Sequence, residues 1–454
     1  MGLAIEKLAR FVAGTRWEDI PLAVQRHAKL VLLDTLGVIL AGSVRPEVRR
    51  LRERLATTAG TGSTVYARGW PVHDPRTAAL LNGIAGRAIE LCEGTRLVTG
   101  QPAMQTLPGL LAVGEQANRS GRDLLTALVV GYEIAGRLAT AFKPRPLAHQ
   151  NGQVGLLAAA AAGARVHGMD AAGVSLSMRI ATTLVLTPSY TNAVAGATNL
   201  NVAGGMSGYA CALVPELARA GFEAQPDAIE EALANLVGDD FNPANLLEEL
   251  GTRWEITRNY FRLYACCNPV HPALDCLQAV LEKLRPQAED IERIHVATYR
   301  FASVMRNAAP HNYFASKYSF PHAAAVMVVR GNAGHRAIDD RALRDPQIAA
   351  LRQRVHMEED PAMSAVAPRL RPARVTVTLK DGRTATHAVE SHRGDFHRPF
   401  EESELRGKFR DLAAEALTPE GIARAEEMVE QCECWSSVGE LAGTLRHCGL
   451  PQAD

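Results

Sequence analysis

The spacing of apolar residues changes along this chain, and that change limits the folds open to it more than any other feature. Apolar side chains recur every three or four positions through 3–12, 21–40, 76–91, 107–118 and 124–142, the repeat of amphipathic helices. Two further helical stretches, 158–164 and 170–181, meet at His167-Gly168-Met169-Asp170. After about residue 284 the repeat becomes two. R-I-H-V-A-T-Y-R at 293–300 and R-V-T-V-T-L at 374–379 alternate apolar with polar, as half-buried strands do. Lys380-Asp381-Gly382-Arg383 predicts a hairpin turn, with 384–389 returning antiparallel. Helical spacing recurs between the strands at 318–329 and 345–354, and beyond Pro399 at 403–416 and 419–428. The pattern predicts a mostly α fold. A large helical domain is built from both chain ends, 1–269 and 400–454, and a smaller α+β lid domain is inserted at 270–399. An insertion of this kind makes a cleft at the junction, a common place for a ligand.

Composition supports helices. Hydrophobic residues are 47% of the 454, yet aromatics are only 5%, so burial rests on Ala, Leu and Val. Lys+Arg and Asp+Glu balance at 49 each, so no global field draws the chain to nucleic acid or an anionic membrane. A local basic pocket for an anion stays open. The 8 cysteines are scattered: Cys266 and Cys267 are adjacent, and Cys432-Glu433-Cys434 is too cramped for usual zinc spacing. Reduced thiols and no metal are expected. The first sixteen residues lack the layout of a secretory signal, and apolar runs fall short of the ~18 residues of a membrane span. A soluble, cytoplasmic protein is expected.

Five segments hold residues suited to chemistry. Glu90 and Glu93 end a predicted helix three residues apart, on one face, with Gly94 as its stop and an irregular loop from Thr95 to Pro102. Repulsion between paired carboxylates raises one pKa for acid–base work, although two glutamates at a helix end are commonly just solvated. Lys143-Pro-Arg-Pro-Leu-Ala-His149 leads into a glycine-rich helix start at Gly152 and Gly155, where free N–H groups suit an anion and an imidazole can pass protons. Gly196-Ala-Thr-Asn199-Leu-Asn201-Val-Ala-Gly204-Gly205 offers either backbone donors or close helix packing. Arg258, Tyr260, Arg262, Tyr264, Cys267 and His271 cluster at the domain boundary, where a guanidinium can bind a planar carboxylate. Cys267 is a nucleophile only with a base beside it. Lys317-Tyr318-Ser319-Phe320-Pro321-His322 opens a late helix, which His322 either caps or serves.

Taken together, these segments resemble the MmgE/PrpD family, which includes 2-methylcitrate dehydratase, cis-aconitate decarboxylase and iminodisuccinate epimerase. The matching motifs are L-L-D-T-L-G-V-I-L-A-G at 32–42, Asn82-Gly83 leading to Glu90, Gln101-Pro102, His149 with Gly152 and Gly155, Cys267 with His271, and Tyr318-Ser319 with Gly331. The resemblance spans nearly the whole chain. It implies a large helical domain with a smaller lid, a homodimer, no cofactor and a small polycarboxylate substrate. There are departures. The family's D-F-D-D-T is Glu90-Leu-Cys-Glu93-Gly-Thr95 here, a usual histidine is Gln101, two usual lysines fall on Asn199 and Arg262, and a late tyrosine of some members falls on His322.

The family's reactions imply a carbanion formed beside a carboxylate, which fixed cations and N–H donors stabilise. On that basis Arg262 and the glycine-rich helix starts bind substrate carboxylates, with Lys317, Thr95, Gln101 and Asn199 as further contacts. His149, Glu90 or Glu93 takes the proton, and His271 or His322 assists departure of hydroxide. Dehydration of a hydroxy-polycarboxylic acid leads. Epimerisation or decarboxylation through the same carbanion is the alternative. A third reading is a binding protein that has lost catalysis, which Gln101 and Asn199 favour.

Overall fold

In a computed structural model of the chain, residues 2–55, 62–96 and 100–451 are described. The first helices are α1 (Gly2–Gly14), α2 (Leu22–Gly42), α3 (Pro75–Arg87), α4 (Pro102–Gln116), α5 (Gly121–Ala141), α6 (Val154–Val166), α7 (Ala171–Ala181) and α8 (Leu200–Arg219). Local chemistry sets their starts. Asp74 accepts from the N–H groups of Arg76 and Thr77 just ahead of Pro75, and Ser120 and Asp123 form a reciprocal capping box on α5. Helices α3, α4, α6 and α8 pack on one another through small residues. A Cβ on Gly83 would lie 2.5 Å from Gly204 O, so these backbones meet only because both positions lack side chains. Among the described residues α5 alone is long and apolar enough to cross a membrane, but 94% of its apolar window is buried inside the fold.

The expected helix 76–91 stops at Arg87. The chain then turns, with Glu90 at φ 51, a left-handed conformation that non-glycine residues rarely adopt. Gly94 is therefore not the helix stop. It opens strand β1 (Gly94–Thr95), antiparallel to β2 (Asn259–Tyr260), and a Cβ there would sit 2.5 Å from Tyr260 Oη. Of the expected 95–102 loop, 97–99 lie outside the described residues, while Thr95 N–H donates to Gly100 O at 3.0 Å.

The period-two segments form one four-stranded sheet from β3 (Ile291–Thr298), β4 (Val355–Glu359), β5 (Ala373–Leu379) and β6 (Thr384–Val389), in the order β6-β5-β3-β4. The β5–β6 hairpin pairs Thr378 with Thr384, and β3 is antiparallel to β5 but parallel to β4. Strand β4 is absent from the sequence-based expectation because only Val355 and Met357 of its five residues are buried. Helix α9 (His271–Leu284) packs on β5 and β6, and α10 (Phe320–Arg330) packs on α11 (Pro346–Arg352). Beyond Pro399, α12 (Glu402–Ala413) returns to α2, followed by α13 (Pro419–Glu430). The fold is mostly α, as expected.

Candidate functional site

The turn after α3 carries the first side chain of the site. Glu90 Oε2 lies 2.7 Å from Arg87 Nη2, and Glu90 Oε1 lies 2.7 Å from Arg262 Nη1. Tyr318 Oη donates to Glu90 Oε2 at 3.3 Å. Arg262 also donates to Glu90 O at 3.1 Å and to Tyr260 Oη at 3.2 Å, and Arg87 Nη1 lies 3.0 Å from Cys92 Sγ. All these side chains are buried. Two guanidiniums face one carboxylate, so the cluster carries one positive charge in excess. A buried excess charge is costly unless an anion meets it.

Burial alone would raise the Glu90 carboxyl, but Arg87 and Arg262 outweigh it and hold the pKa down to about 2. Glu90 is thus held as an anion between the two arginines. Glu93 does not share its face, because both residues lie beyond the helix. Glu93 turns to the start of α4, accepting from Ala103 N–H at 3.0 Å and from Tyr132 Oη at 2.6 Å. Burial pushes its carboxyl up to about 7.

His149 sits against the ring of Tyr190, 4.3 Å between centroids. Burial lowers its imidazole to about 3, with Arg87 adding to the effect and Glu90 opposing it. Asn151 N–H donates to His149 Nδ1 at 3.2 Å, which assigns the proton of the neutral ring to Nε2. His149 therefore presents a donor, where a general base would need a lone pair. His271 Nε2–H donates to Cys266 O at 3.1 Å, the same carbonyl that Arg262 Nη1 approaches at 3.4 Å. Burial, then the nearby His392 and Arg262, drive the His271 pKa well below the usual range. Arg262 and His271 thus meet at the Cys266 carbonyl, and the charges of Arg87, Glu90 and Arg262 act on His149.

Other expected contacts fall elsewhere. His322 stands in the first turn of α10, with Nδ1 3.5 Å from Arg352 Nη1 and Nε2 unpartnered among the described residues. Tyr318, four residues earlier, is the side chain of that segment that reaches Glu90. Lys317 is buried but turns away: its Nζ donates to Ile338 O at 3.1 Å and lies 4.1 Å from the Tyr313 ring centroid. Its carbonyl accepts from Cys267 N–H at 2.8 Å. Burial pushes the Cys267 thiol up, leaving it a poor nucleophile. Asn199 is exposed at the head of α8, whereas Asn201 is buried with both amide atoms unpartnered among the described residues. Gln101 reaches the cluster through Tyr260 Oη at 3.4 Å, and Thr95 through the pairing of β1 with β2. Arg87 was not a sequence candidate. Its only signal was its position three residues before Glu90.

A cavity of about 1070 Å³ lies beside His149: Gln150 and Tyr190, whose ring meets His149, line it together with Tyr299 and Arg371. The Tyr260 ring lies between two guanidiniums, with its centroid 5.4 Å from Arg262 and 5.9 Å from Arg371. Near the cluster, Asn151 leaves both amide atoms, and Gln101 its Oε1, unpartnered among the described residues. Buried polar atoms are normally paired, so these are groups a polar ligand would meet. Among the described residues no three His, Cys, Asp or Glu side chains converge as a metal site.

Comparison with known proteins gives two family models, the MmgE/PrpD N-terminal domain over 6–237 and the MmgE/PrpD C-terminal domain over 264–433. Similar curated proteins include the cis-aconitate decarboxylase-like protein oryM of Aspergillus oryzae, 24% identical over 98% of this chain and 97% of that protein. The cis-aconitate decarboxylases of Mus musculus and Homo sapiens are each 24% identical, over 97% and 98% of this chain and 93% and 95% of their own lengths.

Proposed function

This chain belongs to the MmgE/PrpD family, and from that membership and the geometry of the Glu90 cluster we propose that it is a cofactor-independent lyase that decarboxylates a small unsaturated polycarboxylic acid. The observation that carries the reading is a centre with excess positive charge and proton donors, in which the three expected proton acceptors, Glu90, Glu93 and His149, are each engaged by donors. Dehydration and epimerisation both begin by removing a proton from carbon. Glu90 is saturated by two arginines, Glu93 is occupied by Tyr132 and Ala103, and His149 directs its lone pair to Asn151 N–H. Decarboxylation needs none of these as a base. The similarity to cis-aconitate decarboxylases supports the same reading.

In this mechanism Arg262 and Arg87 hold one substrate carboxylate while Glu90 fixes the geometry of both guanidiniums. The bond to a second carboxylate breaks, carbon dioxide departs, and the electron pair passes through the double bond towards the held carboxylate. Charge developing there is met by preorganised donors, His149 Nε2–H among them. Tyr318 Oη then protonates the carbanion, and solvent restores the phenol. A carbanion is basic enough to take a proton from a phenol whose pKa burial has raised. The 270–399 unit acts as a lid over the bound acid, and the protein works as a homodimer. The test is incubation of the purified protein with cis-aconitate and, separately, with 2-methylcitrate, following carbon dioxide and products by NMR. Carbon dioxide from the first acid and no water loss from the second is expected. Dehydration of the second without decarboxylation of the first would overturn the reading.

A further inference from the structure

The walls of the cavity do not match a ligand that is polar throughout. Ala139, Phe142, Leu147, Val194, Phe301 and Val304 line it. Its volume stands at the upper end of the range that ordinarily encloses drug-sized ligands, so a small tricarboxylate would leave most of it empty. Of the four charged side chains in the lining, Lys143 and Arg300 are exposed, and Arg96 and Arg371 are buried. Arg371 is 5% exposed, and its guanidinium binds only neutral acceptors, the side-chain oxygen of Asn268 and, at 2.6 Å, Arg96 O. No carboxylate pairs with it among the described residues, whereas its neighbour Arg96 is matched by Asp395 at 3.2 Å. Beyond the Tyr260 ring lies Arg262.

We propose that this cavity is a specificity chamber for an extended aliphatic or aromatic substituent on the acid, with Arg371 on its inner wall receiving a carboxylate that the Arg87–Glu90–Arg262 cluster does not hold. The inference rests on the reading of the cluster as a carboxylate site. It names the substrate class that reading leaves open: polycarboxylic acids with a long apolar arm. Continuity argues for a substrate arm rather than a second copy of the chain, because Gln150 and Tyr190 on the cavity wall flank His149.

The test is calorimetric titration of the full chain with unreactive alkylsuccinates, from methyl to octyl. Each buried methylene tightens binding about threefold to fourfold, so affinity rises steeply along the series. Val194→Trp and Val304→Trp, each of which adds bulk to the chamber wall, flatten the dependence while leaving methylsuccinate affinity within about twofold. Arg371→Met weakens every member. Dissociation constants independent of chain length in the native protein overturn the proposal. So does light scattering that shows Val304→Asp splitting a dimer, since a second copy would then cover the wall. The two readings fail separately. A chain-length dependence without carbon dioxide release removes decarboxylation and keeps the chamber, and release from cis-aconitate with a flat series does the reverse.

Discussion

At the scale of single residues, the site is a balance of charges. Glu90→Gln leaves Arg87 and Arg262 buried together with no carboxylate between them, and breaking a buried pair in this way costs about 3–5 kcal/mol. Denaturant unfolding is expected to show that loss, and Arg262→Met in the same chain is expected to restore part of it by removing one unmatched charge. Equal stability of the single and double variants would contradict the pairing. Tyr318→Phe removes the proposed proton donor without touching the held carboxylate. Turnover should then fall by about 10²-fold or more, as for loss of an acid–base group, while dicarboxylate affinity by titration stays close to that of the native protein.

His322 gives a pH signature. Burial lowers its pKa to about 3, so it stays neutral in the fold while the unfolded chain takes up a proton below about 6.5. Stability is therefore lost as pH falls from about 6.5 towards 3, by up to about 1.4 kcal/mol per pH unit from this one group. Thermal melts of His322→Gln are expected to decline less steeply between pH 6 and 4.5, and an unchanged slope would remove the assignment. Glu90 and His149 were readable because glycines or prolines mark the turns beside them, and Arg262 because cationic, aromatic and imidazole residues crowd its segment. Arg87 was not, since a lone arginine in a helical repeat reads as solvent-facing. Neither were the side-chain directions at 317–322, where one residue's shift separates Tyr318 at the cluster from Lys317 turned away.

At the scale of elements, periodicity gave most of the helices, though not α9, and the β5–β6 hairpin, because each spacing reports directly which face is buried. It could not give the early end of α3. The left-handed turn at Glu90 is held by ion pairs from residues 3 and 172 positions away, the second invisible to any local pattern. Strand β4 was missed for a similar reason, since its parallel pairing with β3 spans more than fifty residues. The α3–α8 contact offers the sharpest test at this scale. A Cβ on Gly204 would fall 2.7 Å from Arg87 Cγ and 2.8 Å from Gly83 O. Gly204→Val should destabilise the fold by about 1–3 kcal/mol and displace Arg87, read as a lower melting temperature together with weaker dicarboxylate binding. Normal binding in a folded variant would show that α8 does not set the position of Arg87.

At the scale of the whole molecule, the cavity is built by residues between 96 and 194 together with residues between 299 and 371, and Tyr190 in its wall meets His149. The central claim is that this centre supplies protons to a carbanion and does not abstract them from carbon. Running the reaction with cis-aconitate in deuterium oxide and quenching it at partial conversion tests that claim most directly. One deuterium in each product molecule, with recovered substrate free of deuterium, is the predicted result. Deuterium in the recovered substrate ahead of product would mean that a base in the site reaches carbon, and would contradict the account.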